Sequence, residues 1–322
     1  MKGFDPRWKD FPDYILGITK EIWEDRAVHT LHSYYGKTMA KRSADGVVVG
    51  AEKVIAESIG AMAWAPGIEI LGEDVIWSGN DEDGFLSSHR SMIICPHVSD
   101  GLLGPPTGKR LLQYCIADCA AKDNEIYDEW LVHDSGAYIR QVGLEPRAYA
   151  AALIQSQGGP DKCDKPFTPG TDVQAVYKGR GNDHPLGQRY VDILTRIISG
   201  DFAAIQTEYD RACHLQLPGG VTAHGRSAAD KFWLNLRAAF PSAKLEIHHV
   251  IGREDKDMPP RAALRWSLDG THDGWGAFGP PTGAKVHVMG ISHAEFGPWG
   301  LRREFVLLDE AAIWKQILIK TG

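Results

Sequence analysis

The residues best placed for chemistry lie in one stretch, Ile126 to Gly143, which has the pattern of a strand followed by a carboxylate and a short amphipathic segment. Asp134 comes four positions after Trp130, at the end of the apolar strand. A carboxylate there can face a cavity of low dielectric constant, where burial raises its pKa and lets it exchange protons near neutrality. Asp134 is therefore a predicted general acid or base. The alternative stays open that it only caps a helix from Ser135 to Gln141, because Asp is a good N-cap.

The same pattern returns 175 residues later in the chain, and 13 of the 52 positions from 90 to 141 are identical to their counterparts. Composition alone would give roughly 3 or 4 identities by chance. We therefore predict a tandem duplication of one domain, with no insertion or deletion between the copies. The matched pairs include Arg90 with Arg265, His97 with His272, Glu129 with Glu304, Trp130 with Phe305, Asp134 with Asp309, Gln141 with Gln316, and Tyr34 with Tyr209.

Hydrophobic periodicity places helices first and strands second in each copy, which predicts an α+β fold with an antiparallel sheet. A stretch rich in Gly, Pro and charge predicts a linker at 151–184, between a first domain at 1–150 and a second at 185–322. The predicted helices of the first copy are 14–23, 27–35 and 51–64, and its predicted strands are 46–50, 68–77, 86–95, 109–121 and 126–132. The second copy is predicted to repeat this order.

Composition limits the class of protein. The chain has 322 residues, a net charge of −7 and a pI near 6.0, which argues against a nucleic-acid partner. It lacks a signal-peptide pattern and any apolar run long enough to span a bilayer, so we expect a cytoplasmic protein without a membrane partner. The five cysteines have no framework spacing and are expected to be free thiols. The histidines show no familiar ligand spacing, so we predict no metal site and no cofactor.

Two motifs carry a resemblance to a known family. A hairpin of the form G-x-x-G-P-P-T-G occurs at 101–108 and 276–283, and a final strand ends E-W-x-x-x-D-x-x-x-x-x-x-Q-x-G at 129–143. Together with the helices-then-strands order, each copy resembles the SnoaL-like polyketide cyclase or ester cyclase group of the nuclear transport factor 2-like superfamily. The resemblance implies two tandem cones, each with N-terminal helices wrapped by a strongly bent antiparallel sheet around an apolar pocket.

The resemblance also implies a chemistry, in which the aspartate of the motif is the general acid/base of an intramolecular aldol closure. That residue is Asp134 here. The histidine that assists it in the family is replaced by Ala117 in the first copy and by Ser292 in the second. The predicted catalytic residues are Asp134, His97 and Arg90, the predicted pocket residues are Trp130, Glu129, Asp118 and His89, and the second-copy equivalents are Asp309, His272, Arg265 and Phe305.

Two functions compete at this stage. The first is cofactor-independent acid/base chemistry (aldol-type cyclisation, isomerisation or dehydration) on a small apolar carbonyl compound in the first domain. The second is a non-catalytic module that binds a small molecule or forms a dimer surface. Because copy two replaces the motif tryptophan with Phe305 and the final glycine with Leu318, copy one is the better candidate for an active site. We expect the two copies to form an intrachain pseudo-dimer, with further homo-oligomerisation left open.

Overall fold

The computed structural model describes all 322 residues of the chain. None of its helices is both long enough and apolar enough to cross a lipid bilayer. The elements of the first half are α1 (Phe11–Trp23), α2 (Leu31–Tyr34), β1 (Tyr35–Ser43), β2 (Gly46–Val49), α3 (Ala51–Trp64), β3 (Glu69–Asn80), β4 (Gly84–Pro96), β5 (Arg110–Lys122), β6 (Glu125–His133), α4 (Ser135–Gln141) and α5 (Pro146–Ser156). Those of the second half are α6 (Pro185–Ile198), α7 (Ala203–Glu208), β7 (Tyr209–Leu217), β8 (Val221–His224), α8 (Arg226–Ala239), β9 (Lys244–Arg253), β10 (Arg261–Thr271), β11 (Lys285–Gly297), β12 (Gly300–Leu308) and α9 (Glu310–Thr321).

Each half forms one six-stranded sheet, and the two sheets have the same strand order, β2-β1-β6-β5-β4-β3 and β8-β7-β12-β11-β10-β9. The predicted α+β class and the tandem arrangement are therefore confirmed. The prediction of purely antiparallel sheets is wrong, because β1 pairs parallel with β6 and β7 pairs parallel with β12. Strand β1 also replaces the end of the helix predicted at 27–35. That segment is a 3₁₀ turn at Val28–Thr30 and the single turn of α2, after which Tyr35 joins β6.

Local sequence explains why the helices start where they do. The Asp10 side chain accepts the N–H of Asp13 at 2.9 Å and caps α1. Buried apolar residues then recur along α1 every three or four positions and turn one face to the sheet. Helices α3 and α8 both follow a glycine with positive φ, Gly50 at +90° and Gly225 at +82°. A side chain would strain that conformation, which accounts for glycine at both matched positions.

The repeat is not free of shifts, because β1 and β7 are related by 174 residues rather than 175. Tyr35 pairs with Ile126 in the first sheet, and Tyr209 pairs with Leu301 in the second. Tyr35, rather than Tyr34, is therefore the structural equivalent of Tyr209. The β7–β8 turn is one residue longer than the β1–β2 turn, which restores the offset of 175 in the following helix. The prediction of copies without insertion is wrong over this segment.

The two sheets pack face to face through β5 and β6 of one half and β11 and β12 of the other. Side chains alternate along a strand, so each of these strands has one face towards the other half and one towards its own helices. Even-numbered positions of β5 and β6 contact the second half. Two of these residues, Ile116 and Val132, pack in one apolar cluster with Met289, Ile291 and Leu307 of the second half.

The segment that joins the two halves is ordered against both of them. Helix α5 extends past residue 150 and packs on α9 of the second half. Farther on, the Asp128 carboxylate accepts the backbone N–H groups of Val176 and Tyr177, and the Tyr177 hydroxyl lies 2.7 Å from His249 Nε2. The segment therefore runs across both halves, while the domain boundaries at 150 and 185 stay predictions.

Candidate functional site

The first half encloses a cavity of about 330 Å³ between its helices and the inner face of its sheet. The volume is at the lower end of the range for small-molecule pockets, and most of the lining is apolar, as such pockets usually are. The polar exceptions on the sheet come from alternate positions of β4, β5 and β6, because those positions share one face. The polar and sulfur-bearing lining residues are Thr19, Tyr35, Lys41, Glu57, Ser58, His89, Ser91, Cys95, Gln113, Cys115, Cys119, Glu129, His133 and Tyr138.

Two histidines face this cavity, His89 on β4 and His133 on β6. Burial lowers the pKa of each ring to about 4, and the positive charge of Lys41 contributes at His133. Both imidazoles are therefore neutral at physiological pH, each with one N–H donor and one acceptor nitrogen. The Nδ1 atom of His89 lies 3.2 Å from the Ser87 hydroxyl. Neither Nε2 atom has a hydrogen-bond partner in the protein, which leaves both for a ligand.

Glu129 is the acidic group on the sheet side of the cavity. Its Oε2 accepts a hydrogen bond from the Tyr35 hydroxyl at 3.0 Å, and its other oxygen accepts none from the protein. Burial raises the pKa of the Glu129 carboxyl, against the smaller opposing effects of Lys41 and the Tyr35 hydroxyl. Lys41 forms an ion pair with Glu57 on the cavity wall. Glu129 and His133 lie four positions apart on one strand, so about 13 Å separates the two polar ends of the cavity.

The corresponding space in the second half is filled by protein. Trp233 on α8 and Trp266 on β10 are both fully buried there, with ring centroids 6.1 Å apart. They occupy the positions of Ser58 and Ser91 in the first half. A side chain at Gly290 would place its Cβ 2.3 Å from the Trp266 ring, so the glycine is required for the tryptophan to fit. Its counterpart in the first half is Cys115.

The polar lining of the cavity is also absent from the second half. The counterparts of the polar residues are apolar, and most are buried: Leu215 for Lys41, Phe232 for Glu57, Leu264 for His89, Val288 for Gln113, Leu308 for His133 and Ile313 for Tyr138. The glutamate and its tyrosine partner are kept, as Glu304 for Glu129 and Tyr209 for Tyr35. Glu304 is fully enclosed, and both Tyr190 and Tyr209 donate their hydroxyls to it at 2.9 Å. The two halves thus share a fold while only the first keeps a cavity.

The predicted acid/base residue Asp134 does not line the cavity. It caps α4 through the N–H of Ala137 at 3.3 Å and accepts the N–H groups of Gly219 and Gly220 from the second half, at 2.6 and 2.7 Å. Burial raises its pKa to about 6, and these backbone donors limit the rise. The counterpart Asp309 caps α9 and accepts the Ser135 hydroxyl, and burial raises its pKa to about 7. Asp134 follows the even-numbered face of β6, whereas the cavity lies against the odd-numbered face, which carries Glu129 and His133.

Replacing Asp134 with Asn is expected to destabilise the protein by about 1–3 kcal/mol. Asn keeps one acceptor oxygen, but its NH₂ group would then face a partly buried glycine N–H that loses its partner. Urea denaturation of the full chain measures the loss. Asp309→Asn is the matched control, because only Oδ1 of Asp309 accepts hydrogen bonds and Asn can supply that oxygen. Equal stability of the Asp134→Asn and Asp309→Asn chains would contradict this role.

Five of the remaining predicted residues lie between the halves rather than in the cavity. The Arg90 guanidinium stacks over the Phe305 ring at 3.5 Å, and its Nη1 is 3.1 Å from His293 Nδ1. In the mirrored arrangement, Arg265 stacks over Trp130 at 3.7 Å and donates to Asp118 at 3.1 Å. The recurrence of arginine in both copies is thus explained by the contact between the sheets. Placing Trp130 and Asp118 in the pocket was wrong, since both are on the even-numbered face.

His97 and its counterpart His272 are buried at the base of the G-P-P-T-G hairpins. The Nδ1 atom of each lies 3.0 Å from a hairpin threonine hydroxyl, Thr107 or Thr282. Gln141 is structural too, because its side chain bonds both backbone groups of Leu112 and so ties α4 to β5. These motif residues hold the fold in both halves, and none of them lines the cavity.

Of the predicted site residues, Glu129 and His89 therefore line the cavity. The sequence reasoning missed Tyr35, Lys41, Gln113, His133 and Tyr138. His133 is not a motif residue and does not recur, because its counterpart in the second copy is Leu308. The signal that could have identified His133 is this difference between the copies. One copy has a polar residue on the inner face of a strand where the other copy has an apolar residue.

One family model and several solved structures are similar to parts of this chain. Residues 188–301 match the family model of the SnoaL-like domain. No match is found among curated proteins. Among solved structures, a protein assigned as a SnoaL-like polyketide cyclase from Jannaschia sp. CCS1 is 17% identical, with a TM-score of 0.36 over 42% of this chain and 96% of its own.

Two further solved structures are similar over comparable lengths. A SnoaL-like polyketide cyclase from Agrobacterium tumefaciens C58 is 22% identical, with a TM-score of 0.33 over 42% of this chain and 98% of its own. An NTF2-like protein from Cytophaga hutchinsonii is 14% identical, with a TM-score of 0.30 over 38% of this chain and 98% of its own. The match to the SnoaL-like domain thus lies in the second half, and the first half repeats the strand order and the motif of that half.

Proposed function

We propose that the first domain binds a small, mostly apolar carbonyl compound in its cavity and transfers a proton on it without a cofactor. The observation that carries this proposal is the pair of neutral histidines in the open cavity, which the filled second domain replaces with Leu264 and Leu308. Leucines occupy both positions in the domain whose interior is filled, so a ligand that contacts the histidines accounts for their presence in the first domain.

The chemistry that suits two neutral imidazoles is enolisation. One ring can donate its N–H to a carbonyl oxygen, while the other accepts the proton from the adjacent carbon. A neutral histidine is an effective donor to a carbonyl, because a weakly acidic N–H matches a weakly basic oxygen. The aldol-type cyclisation, isomerisation and dehydration that the family resemblance implied all begin with such a step.

A second candidate function is binding without chemistry. The observation favouring it is the lowered pKa of His89 and His133, because an imidazole with a pKa of about 4 is a weak base. In that case the histidines would serve as hydrogen-bond partners for a polar group of the ligand. The two functions differ in whether a proton moves.

Deuterium exchange separates them. We expect the full chain to accelerate exchange of the protons next to the carbonyl of bicyclic ketones such as 2-tetralone in D₂O, followed by NMR. Replacing His133 with Gln, which keeps a hydrogen-bonding amide but cannot accept the proton, should slow exchange by about 100-fold. His97→Gln is the control, because His97 lies outside the cavity. Exchange no faster than in buffer, together with tight ketone binding, would favour the binding module instead.

A further inference from the structure

Both domains have a glutamate at the same position, Glu129 in the first and Glu304 in the second. In the second domain the space beside this glutamate is filled by protein. Both Tyr190 and Tyr209 donate hydroxyls to Glu304. Tyr209 also accepts the Trp233 indole N–H at 3.2 Å. Glu304 is therefore surrounded by two phenol hydroxyls and by aromatic rings of the protein.

The first domain keeps only half of this arrangement. Tyr35 is the structural equivalent of Tyr209 and donates to Glu129 at 3.0 Å. The position of Tyr190 is taken by Ile15, which lines the cavity and has no donor. One oxygen of Glu129 is therefore left without the hydroxyl that Tyr190 gives to Glu304. The space next to it, filled by Trp233 and Trp266 in the second domain, is open.

We propose that the ligand of the first domain supplies the missing group, with a phenolic or enolic hydroxyl that donates to Glu129 and an aromatic body in the space of the two tryptophans. Glu129 is then a specificity-determining residue that selects ligands carrying a hydroxyl donor at one end. The inference rests on the cavity proposed above as the binding site. It adds the ligand class and the residue that recognises it.

The electrostatics of the cavity suit a hydroxyl donor at this end. Burial raises the pKa of the Glu129 carboxyl, and the ammonium group of Lys41 opposes this rise by favouring the ionised form, which accepts a stronger hydrogen bond than a neutral oxygen does. A second carboxylate on the ligand would be repelled by Glu129. A ligand without a donor would leave one carboxylate oxygen without a hydrogen bond in an apolar cavity, which is costly.

The test compares 2-naphthol with 2-methoxynaphthalene, which has the same rings but no hydroxyl donor, by calorimetric titration of the full chain. We expect naphthol to bind about ten-fold more tightly, as the loss of a hydrogen bond to a charged group implies. Glu129→Gln should remove this preference by weakening naphthol binding about ten-fold and leaving the ether unchanged. Glu304→Gln is the matched control and should change neither affinity, because Glu304 is enclosed in the second domain.

A second variant keeps the test decisive if Glu129→Gln does not fold. Ile15→Tyr installs the donor that Tyr190 provides in the second domain, so the preference for naphthol over the ether should disappear. Equal affinities of the two probes for the unmodified chain would overturn the assignment of Glu129 and leave the cavity as a binding site. Failure of both probes to bind would overturn the assignment together with the proposed function.

Discussion

Replacing Trp266 with Ala is expected to lower the free energy of unfolding by about 3–5 kcal/mol, because a large cavity would open in the core of the second domain. The side chain is fully buried against Trp233, and its N–H donates to the Ser292 hydroxyl at 2.8 Å. Gly290 leaves no side chain that could move into the space, so the cavity would stay open. Denaturant unfolding of the full chain measures the loss.

The chain offers a matched control for this experiment. Trp275 lies in the same domain and is 71% exposed, so Trp275→Ala should change the stability by no more than about 0.5 kcal/mol. If Trp266→Ala were as mild as Trp275→Ala, the second domain would not depend on its aromatic filling. Its lack of a cavity would then need another cause.

The sequence predicted the fold better than the site. The reason is that residues identical between the two copies are mainly those that both domains need for folding. Identities between the copies marked Glu129, Asp134, Gln141, His97 and Arg90. Apart from Glu129 these residues cap helices, anchor hairpins or join the sheets, which both domains must do. The cavity, by contrast, is found in the first domain only. The informative positions were therefore those where the copies differ.

Position 133 illustrates the point. The difference between His133 and its counterpart Leu308 gives no sign of function when recurrence between the copies is the criterion. In the structure it marks the difference between an open and a filled pocket. The alternation of strand residues was predicted, yet sequence alone could not tell which face of β6 would meet the helices. Trp130 and Asp134 were assigned to a pocket, although an aromatic ring and a carboxylate serve an interface between two sheets equally well.

Strand β1 was missed for a different reason. Its residues, from Tyr35 to Ser43, include lysines and an arginine and lack an apolar alternation. Arg42 is nonetheless fully buried, because its guanidinium pairs with Asp128 and Asp172. A buried ion pair with a residue 130 positions away has no local signal in the sequence. The parallel pairing of β1 with β6, which sets Tyr35 beside Glu129, therefore depended on the tertiary structure.

Transplanting the filling of the second domain into the first is expected to abolish ligand binding while keeping the fold. The variant combines Ser58→Trp, Ser91→Trp and Cys115→Gly, which reproduces Trp233, Trp266 and Gly290. We expect the affinity for 2-naphthol to fall by at least about 100-fold, since the space that would hold the rings is occupied by indoles. Calorimetric titration measures the affinity, and thermal unfolding checks that the chain is folded.

The order in which these changes are made tests the geometry on which the prediction rests. Ser91→Trp alone should destabilise the chain by about 1–3 kcal/mol, because the new ring meets the Cys115 side chain where Trp266 meets only Gly290. Adding Cys115→Gly should restore part of that loss, as a favourable coupling in a double-mutant cycle. Naphthol binding that survives in the stable triple variant would place the ligand outside this cavity. The histidines and Glu129 would then have to be explained as structural residues, like the motif residues that both domains share.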